Sequence, residues 1–339
     1  MSLTAMSLTH TPRRPRAGLT KRRVLLTVNP LVVERPLFST TRGFIAELAR
    51  RFELLVVPVS GYDFRAGTVR AFRRLCGGGF EALGTVRPRG DLWIVYSDGF
   101  YLDHRRLGFA RARDYFDAQL EFHRRHLDSG AVGLMVNTPE AEARTLKSWL
   151  ASLDFSATKV IPTRVFAGFD EVHDFRKDEG CVVAKPVWGG GSVGVRRLAD
   201  EAAVKDFRAE LEGRGADLGD YCFQALRGGD EKRLWFAGGE FVGARRFRER
   251  ETPWLGCAED CRIHSYGVNH GGGLSAEVAA ARRLCALADI GLGSVDFIGD
   301  EINEINGAGT VMTTFHDRRL VIDVRPRFVE YVVRLAEAF

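Results

Sequence analysis

Three short segments hold residue types whose spacing could do chemistry. In Ser294-Val295-Asp296-Phe297-Ile298-Gly299-Asp300-Glu301-Ile302-Asn303-Glu304-Ile305-Asn306, the pattern reads as a β-hairpin with Gly299–Glu301 as its loop. Position 298 then faces 302 and 296 faces 304. Glu304 and Asn306, two apart on one strand, share a face with Asp296, while Val295, Phe297 and Ile305 point to the other face, toward a core. Two carboxylates set opposite each other repel. A bound cation removes that penalty, and oxygen ligands without His or Cys suit Mg²⁺. The plain alternative is the solvated polar face of an edge hairpin.

The second segment is Val182-Val183-Ala184-Lys185-Pro186-Val187-Trp188-Gly189-Gly190-Gly191-Ser192-Val193-Gly194-Val195. Val-rich flanks on both sides place the glycines at the top of a hairpin, not at the strand-to-helix turn of a dinucleotide-binding fingerprint. No Lys-Ser/Thr follows them, so a Walker A loop is excluded. A glycine hairpin (Gly189, Gly190, Gly191) can close over a polyphosphate with backbone N–H groups, and Lys185 supplies a point charge. In the third segment, Gln224-Ala225-Leu226 could offer backbone groups to a planar base, with a nearby carboxylate of Asp230-Glu231-Lys232-Arg233 taking ribose hydroxyls. Taken alone it is an ordinary strand and turn. Arg245, Arg246 and Arg262 follow, and the stretch 247–273 has little periodicity, a length that in a compact protein points to function or disorder.

The elements that would carry these segments fall into two textures. Apolar runs at 24–28, 54–59, 92–96 and 131–136 alternate with helical patterns at 40–51, 68–76 and 107–127, the second stopped by Gly77-Gly78-Gly79. That alternation predicts a parallel α/β sheet. From Cys181 onward, paired strands at 182–187 and 193–197, then 221–226, 233–237 and 241–247, with helices at 201–212, 275–290 and 328–339, predict α+β with antiparallel sheets. Three parts are expected: a disordered basic tail 1–22, an α/β domain 23–137, and a two-lobed domain 138–339 with lobes of about 138–225 and 226–339.

Composition narrows the class. In 339 residues, 45% hydrophobic and 27% charged is ordinary for a protein that buries a core. No apolar run is long enough to span a membrane. Arg22-Arg23 precedes an apolar run broken at Asn29-Pro30, too short for an export signal. Six scattered Cys with one C-x3-C pair, Cys257 and Cys261, make neither a zinc site nor a disulfide framework, which predicts a reducing cytoplasm. The formal charge of +5 is largely the tail, too little to argue for nucleic acid. Only seven of 49 basic residues are Lys, so a Lys inside a motif stands out.

Taken in order, the segments from about residue 92 resemble the ATP-grasp superfamily, prokaryotic glutathione synthetase most closely. The stretch Val136-Asn137-Thr138-Pro139-Glu140 through Lys147 is similar to the family's approach to its first ATP-binding Lys. Lys185-Pro186 and the glycine loop resemble its second phosphate-binding Lys and flap, and Gln224-Ala225-Leu226 its adenine hinge. Glu231 and Arg233 match an acidic–Lys–Arg triplet whose acidic member binds ribose. Arg262, with His264 where Asn is usual, resembles an Arg-x-Asn element holding phosphate and acyl group. Asp296, Glu304 and Asn306 match the family's metal ligands at identical spacing. After Asn306 the chain reads Gly307-Ala308-Gly309-Thr310, where glutathione synthetases carry a different substrate loop. Arg246, His264, Gly307 and Gly309 are the substrate candidates.

The resemblance implies a pre-ATP-grasp domain followed by an ATP-grasp fold. It implies a ligase that uses ATP and two Mg²⁺ (Mn²⁺ being the substitute ion) to join a carboxylate to an amine through an acyl phosphate, with Lys185 and Arg262 in catalytic roles. The implied partners are small acids and amines, or a short peptide; a homo-oligomer is compatible with the sequence. The alternatives are a peptide- or protein-tailoring ligase and a nucleotide-binding module without turnover.

Overall fold

The computed structural model describes residues 21–34, 39–95, 104–105, 107–189, 194–248, 262–266, 273–308, 313–316 and 319–338. The first part of the chain builds β1 (Arg23–Val28), α1 (Pro30–Glu34), α2 (Ser39–Arg51), β2 (Glu53–Pro58), β3 (Tyr62–Asp63), β4 (Thr68–Arg74), β5 (Phe80–Val86), β6 (Gly90–Val95), α3 (Ala112–Asp128) and β7 (Val132–Val136). The sheet order is β3-β4-β2-β1-β6-β7, with β5 on β4. β2, β1, β6 and β7 run parallel. β1 is apolar nearly throughout and buried, as a strand covered on both faces must be.

The helix expected over 68–76 is instead the first arm of an antiparallel hairpin, β4–β5. Val69 and Ala71 are buried with exposed Arg70 between them, a period of two that the helical reading passed over. The glycines that were to stop a helix make the turn: Leu75 N–H donates to Gly79 O at 2.9 Å and Gly78 N–H to Leu75 O at 3.0 Å. Helix α3 begins at Ala112, later than the expected Leu107.

The next segment gives α4 (Pro139–Ala143), α5 (Lys147–Leu150), α6 (Phe155–Thr158), β8 (Thr163–Arg164), α7 (Phe169–Glu179), β9 (Val182–Pro186), β10 (Arg196–Leu198), α8 (Glu201–Arg214) and β11 (Tyr221–Ala225). Thr138 caps α4 by accepting from Ala141 N, with Pro139 at the first helical position. The strands form an antiparallel sheet ordered β10-β9-β11-β8. Val172, Phe207 and Leu211 of α7 and α8 pack on its Val182, Ala184 and Phe223.

The last part contributes β12 (Glu231–Ala237), β13 (Glu240–Arg248), β14 (Arg262–Tyr266), α9 (Ser275–Ala288), β15 (Leu292–Ile298), β16 (Glu301–Asn306), β17 (Thr313–His316), β18 (Arg319–Asp323) and α10 (Arg325–Glu337). Its main sheet is ordered β14-β13-β12-β15-β16. The stretch read as irregular over 247–273 contains β14; 249–261 and 267–272 lie outside the described residues.

One core crosses the expected boundary at 137, joining Leu26, Ile94 and Val136 to Trp235, Leu292 and Phe328. The two antiparallel sheets are stitched where Ile161 N–H donates to Ile302 O (2.9 Å) and Ile302 N–H to Lys159 O (2.7 Å). That seam brings the end of β16 against the β8–β11 sheet, and with it the polar residues of all three segments.

Candidate functional site

Asp296 and Glu304 are direct cross-strand partners, and Asn306 lies opposite Ser294. The route differs from the expected three-residue loop. Ile298 pairs with Glu301, so the turn is Gly299-Asp300, and a bulge between Asp296 and Phe297 restores the 296–304 pairing. Gly299 takes the positive φ (+61°) that the first position of so tight a turn favours. Val295, Phe297 and Ile305 are buried in the core beneath. β15 is central rather than an edge, and Asp296 is itself 2% exposed.

A buried carboxylate needs a partner, and Asp296 has Arg233. The two face each other across β12 and β15. The guanidinium donates from Nε to Oδ1 at 2.6 Å and from Nη2 to Oδ2 at 2.5 Å. The same Nη2 lies 4.0 Å from Glu304 Oε1, and Asn306 Nδ2 donates to Asp296 Oδ2 at 3.4 Å. The repulsion read from the sequence is thus relieved by a side chain already in place. Burial opposes ionisation of Glu304, yet Lys147, Lys185 and Arg233 together hold its carboxyl down to about 2. Burial pushes Asp296 up against the pull of Arg233.

The cationic side of the site comes from the other sheet. Lys185 on β9 donates to Asn303 Oδ1 at 2.7 Å and to Gln224 Oε1. Burial lowers its pKa, and Glu304 pulls it back up. Gln224 is fixed by donating to Thr163 Oγ1 (3.1 Å) and Asn303 O (3.0 Å). Lys147, the first residue of α5, donates to Gly189 O at 2.5 Å, so this Lys and the root of the glycine loop meet. The positive charge of Lys147 and Lys185 and the carboxylate of Glu304 therefore share one partly buried space between the sheets.

Other candidates are placed less directly. The Ala225 N–H donates to Pro162 O (2.9 Å) and that of Leu226 to Cys181 O (2.8 Å), so neither amide of the expected base-binding segment is spare. Glu231, half-buried on β12, adds its field to Lys185 and Arg233. Arg246 forms an ion pair with Asp230 (Nε–Oδ2 2.5 Å). In β14, His264 pairs with Arg246 and Arg262 with Arg248. Gly190, Gly191 and Gly309 lie outside the described residues.

Three features escaped the sequence reading. Asn303 bonds Lys185, although it sits inside the Asn303-Glu304-Ile305-Asn306 run from which only the last members were taken. Arg227 ties α7 to β16 by binding Glu179 (3.0 Å) and Glu301 (3.1 Å). Glu142 on α4 is buried beside Gly307: a Cβ at 307 would stand 2.7 Å from Glu142 Oε1. That oxygen has no hydrogen-bond partner, and burial pushes the carboxyl up to about 8. No periodicity distinguishes such a Glu from a surface one.

Oxygen donors alone at 296, 304 and 306 fit Mg²⁺ rather than a softer metal. Among the described residues no three His, Cys, Asp or Glu side chains gather into a group that could hold a metal ion, and no helix is long and apolar enough to cross a membrane.

No family model matches the sequence. A glutathione synthetase of Neisseria meningitidis serogroup B is 25% identical over 228 residues, covering 65% of this chain and 69% of the relative. The solved structure of the ATP-grasp ligase PsnB, complexed with a phosphomimetic variant of minimal precursor, Mg and ADP, superposes with a TM-score of 0.59 at 17% identity, covering 92% of this chain and 98% of PsnB. D-alanyl-alanine synthetase A of Vibrio cholerae gives 0.58 at 13% identity over 94% and 98%. The structural likenesses carry the fold across nearly the whole chain, and the sequence likeness agrees with them: this chain has the ATP-grasp fold.

Proposed function

We propose that the protein is a carboxylate–amine ligase that joins its substrates through an acyl phosphate. The observation that supports this most is the meeting of Lys147 from α5 and Lys185 from β9 with Glu304, Asp296 and Arg233 from the β12–β15–β16 sheet. Lys147 and Lys185 would neutralise the phosphates of ATP, and Asp296, Glu304 and Asn306 would hold Mg²⁺, which supplies charge neutralisation at the transferring phosphoryl group. A carboxylate oxygen takes that group with release of ADP; the amine then displaces phosphate. Work of this kind is positioning and electrostatics, and calls for no nucleophilic side chain. Arg233 would surrender part of its grip on Asp296 when the cation binds. Gly189 and its neighbours would close over the phosphates and keep water from the acyl phosphate.

The test is a panel of acid and amine pairs, assayed for Mg²⁺-dependent ADP release and for a product lighter than the sum of its parts by one water. A peptide-modifying ligase is the second reading, favoured by the extent of the match to PsnB, whose structure holds a precursor; peptides in the same panel separate the two. The cytoplasm is the proposed compartment, in keeping with free thiols at Cys76, Cys181, Cys222 and Cys285.

A further inference from the structure

A partly buried ammonium joins the two antiparallel sheets. Lys185 donates to Asn303 Oδ1 at 2.7 Å and to Gln224 Oε1. Gln224, itself 3% exposed, donates from Nε2 to the backbone carbonyl of Asn303 at 3.0 Å. The three contacts close a ring, with Lys185 on β9 and Gln224 on β11 from one sheet and Asn303 on β16 from the other. Asn303 follows Ile302, whose N–H and carbonyl are both bonded across the seam, to Lys159 O and Ile161 N–H. Its backbone is therefore fixed before any ligand arrives.

The chemistry of the ring is unbalanced. An ammonium has three N–H donors and no acceptor. Two of them go to side-chain amide oxygens, and among the described residues no acceptor takes the third. Neutral oxygens fix the direction of the ammonium and leave its charge intact. A carboxylate at 303 would hold it as well but cancel the charge that a phosphate needs. A Lys side chain is otherwise long and rich in rotamers, so fixing it in advance removes an entropic cost from binding. Asn303 also directly precedes Glu304, so the strand that carries the carboxylate is the one that holds the ammonium.

We propose that Asn303 is a positioning residue of the phosphate site. Its side-chain oxygen holds the Lys185 ammonium with one N–H left for a phosphate oxygen, at a separation from Glu304 that β16 itself sets. Asn303 acts through Lys185 and touches no reacting atom. The role of the held ammonium toward phosphate rests on the ligase reading; the tether between the two side chains does not, and has a readout of its own.

The experiment takes the full chain through two measurements. The first is the rate at which N-hydroxysuccinimidyl acetate acetylates Lys185 without nucleotide, read by peptide mass spectrometry with the exposed Lys205 as reference. Asn303→Ala raises that rate roughly fivefold, while Asn303→Asp, which keeps an acceptor oxygen, leaves Lys185 as protected as in the parent. The second is calorimetric titration with a non-hydrolysable ATP analogue and Mg²⁺. Asn303→Ala weakens the analogue roughly fivefold in the parent and has no further effect in a Lys185→Ala background, because the ammonium it positions is gone. Asn303→Asp weakens the analogue at least as much although Lys185 stays protected, which separates holding the ammonium from preserving its charge. An Asn that only filled the seam would cost the same affinity in both backgrounds, and that result overturns the proposal. Unchanged acetylation of Lys185 in Asn303→Ala overturns it as well. If acetylation responds as described but the analogue does not bind the parent, the ligase reading and the phosphate role fall together and the tether alone stands.

Discussion

Arg233 grips both oxygens of Asp296 from the neighbouring strand, at 2.6 and 2.5 Å, in a layer where Asp296 is 2% exposed. The carboxylates expected to hold a cation are thus already balanced by a fixed one. Removing it leaves Asp296 and Glu304 facing each other with only the two Lys nearby. Arg233→Ala is expected to lose about 3 kcal/mol of stability, the usual cost of stripping one partner from a buried pair. Mg²⁺ should then raise the melting temperature of the variant more than that of the parent. Equal shifts in thermal melts with and without Mg²⁺ would separate Arg233 from the metal site.

Lys185 and Lys205 offer a matched comparison. Lys185 is bound to Asn303 and Gln224 between the sheets, whereas Lys205 lies on the surface of α8 paired with Glu201 at 2.8 Å. Lys185→Ala should weaken ATP binding roughly tenfold or more, and Lys205→Ala should not change it. Calorimetric titration with a non-hydrolysable ATP analogue reads both; similar affinities would remove Lys185 from the phosphate site.

Glu142 predicts a pH dependence with a definite sign. Its folded value is raised to about 8 by burial, above the ordinary carboxyl value of 4.5. Between those values the native state holds a proton that the unfolded chain has released, so stability falls as pH rises through the window, by up to roughly 1.4 kcal/mol per unit. Glu142→Gln, which cannot ionise, should match the parent near pH 5 and exceed it increasingly toward pH 8. Melting temperatures that differ by a constant amount across that range would contradict a neutral, buried Glu142.

Gly307 carries a related expectation. A methyl group there would stand 2.7 Å from Glu142 Oε1 and 3.2 Å from Oε2, so Gly307→Ala should destabilise by roughly 1–3 kcal/mol through overpacking. Adding Glu142→Ala should return part of that loss, since the two substitutions share one space. Chemical denaturation of the two single variants and the double variant measures the coupling, and strict additivity would deny the contact.

Alternating apolar and polar positions made most strands readable, because a strand buried on one or both faces has little freedom in sequence. The opposition of Asp296 and Glu304 was readable for the same reason, even though the turn is a residue shorter than expected and a bulge makes up the difference. Thr68–Arg74 went the other way: with Val69, Ala71 and Phe72 apolar and four polar positions among them, its pattern satisfies a helix as well as a strand. Pairing with β5 decides it, and that is not a local property. The same limit hid the Arg233–Asp296 pair, which joins residues 63 apart, and the burial of Glu142, which depends on Gly307 arriving from the far end of the chain.

The central claim is that Asp296 and Glu304 hold the cation of an ATP-dependent ligase. It is tested most directly by Mg²⁺-dependent ADP formation across the acid–amine panel, comparing the parent with Asp296→Asn and Glu304→Gln. ADP should form in the parent and fall at least roughly a hundredfold in both variants, with each still showing a cooperative melt. ADP formation at the parental rate by either folded variant would contradict the account.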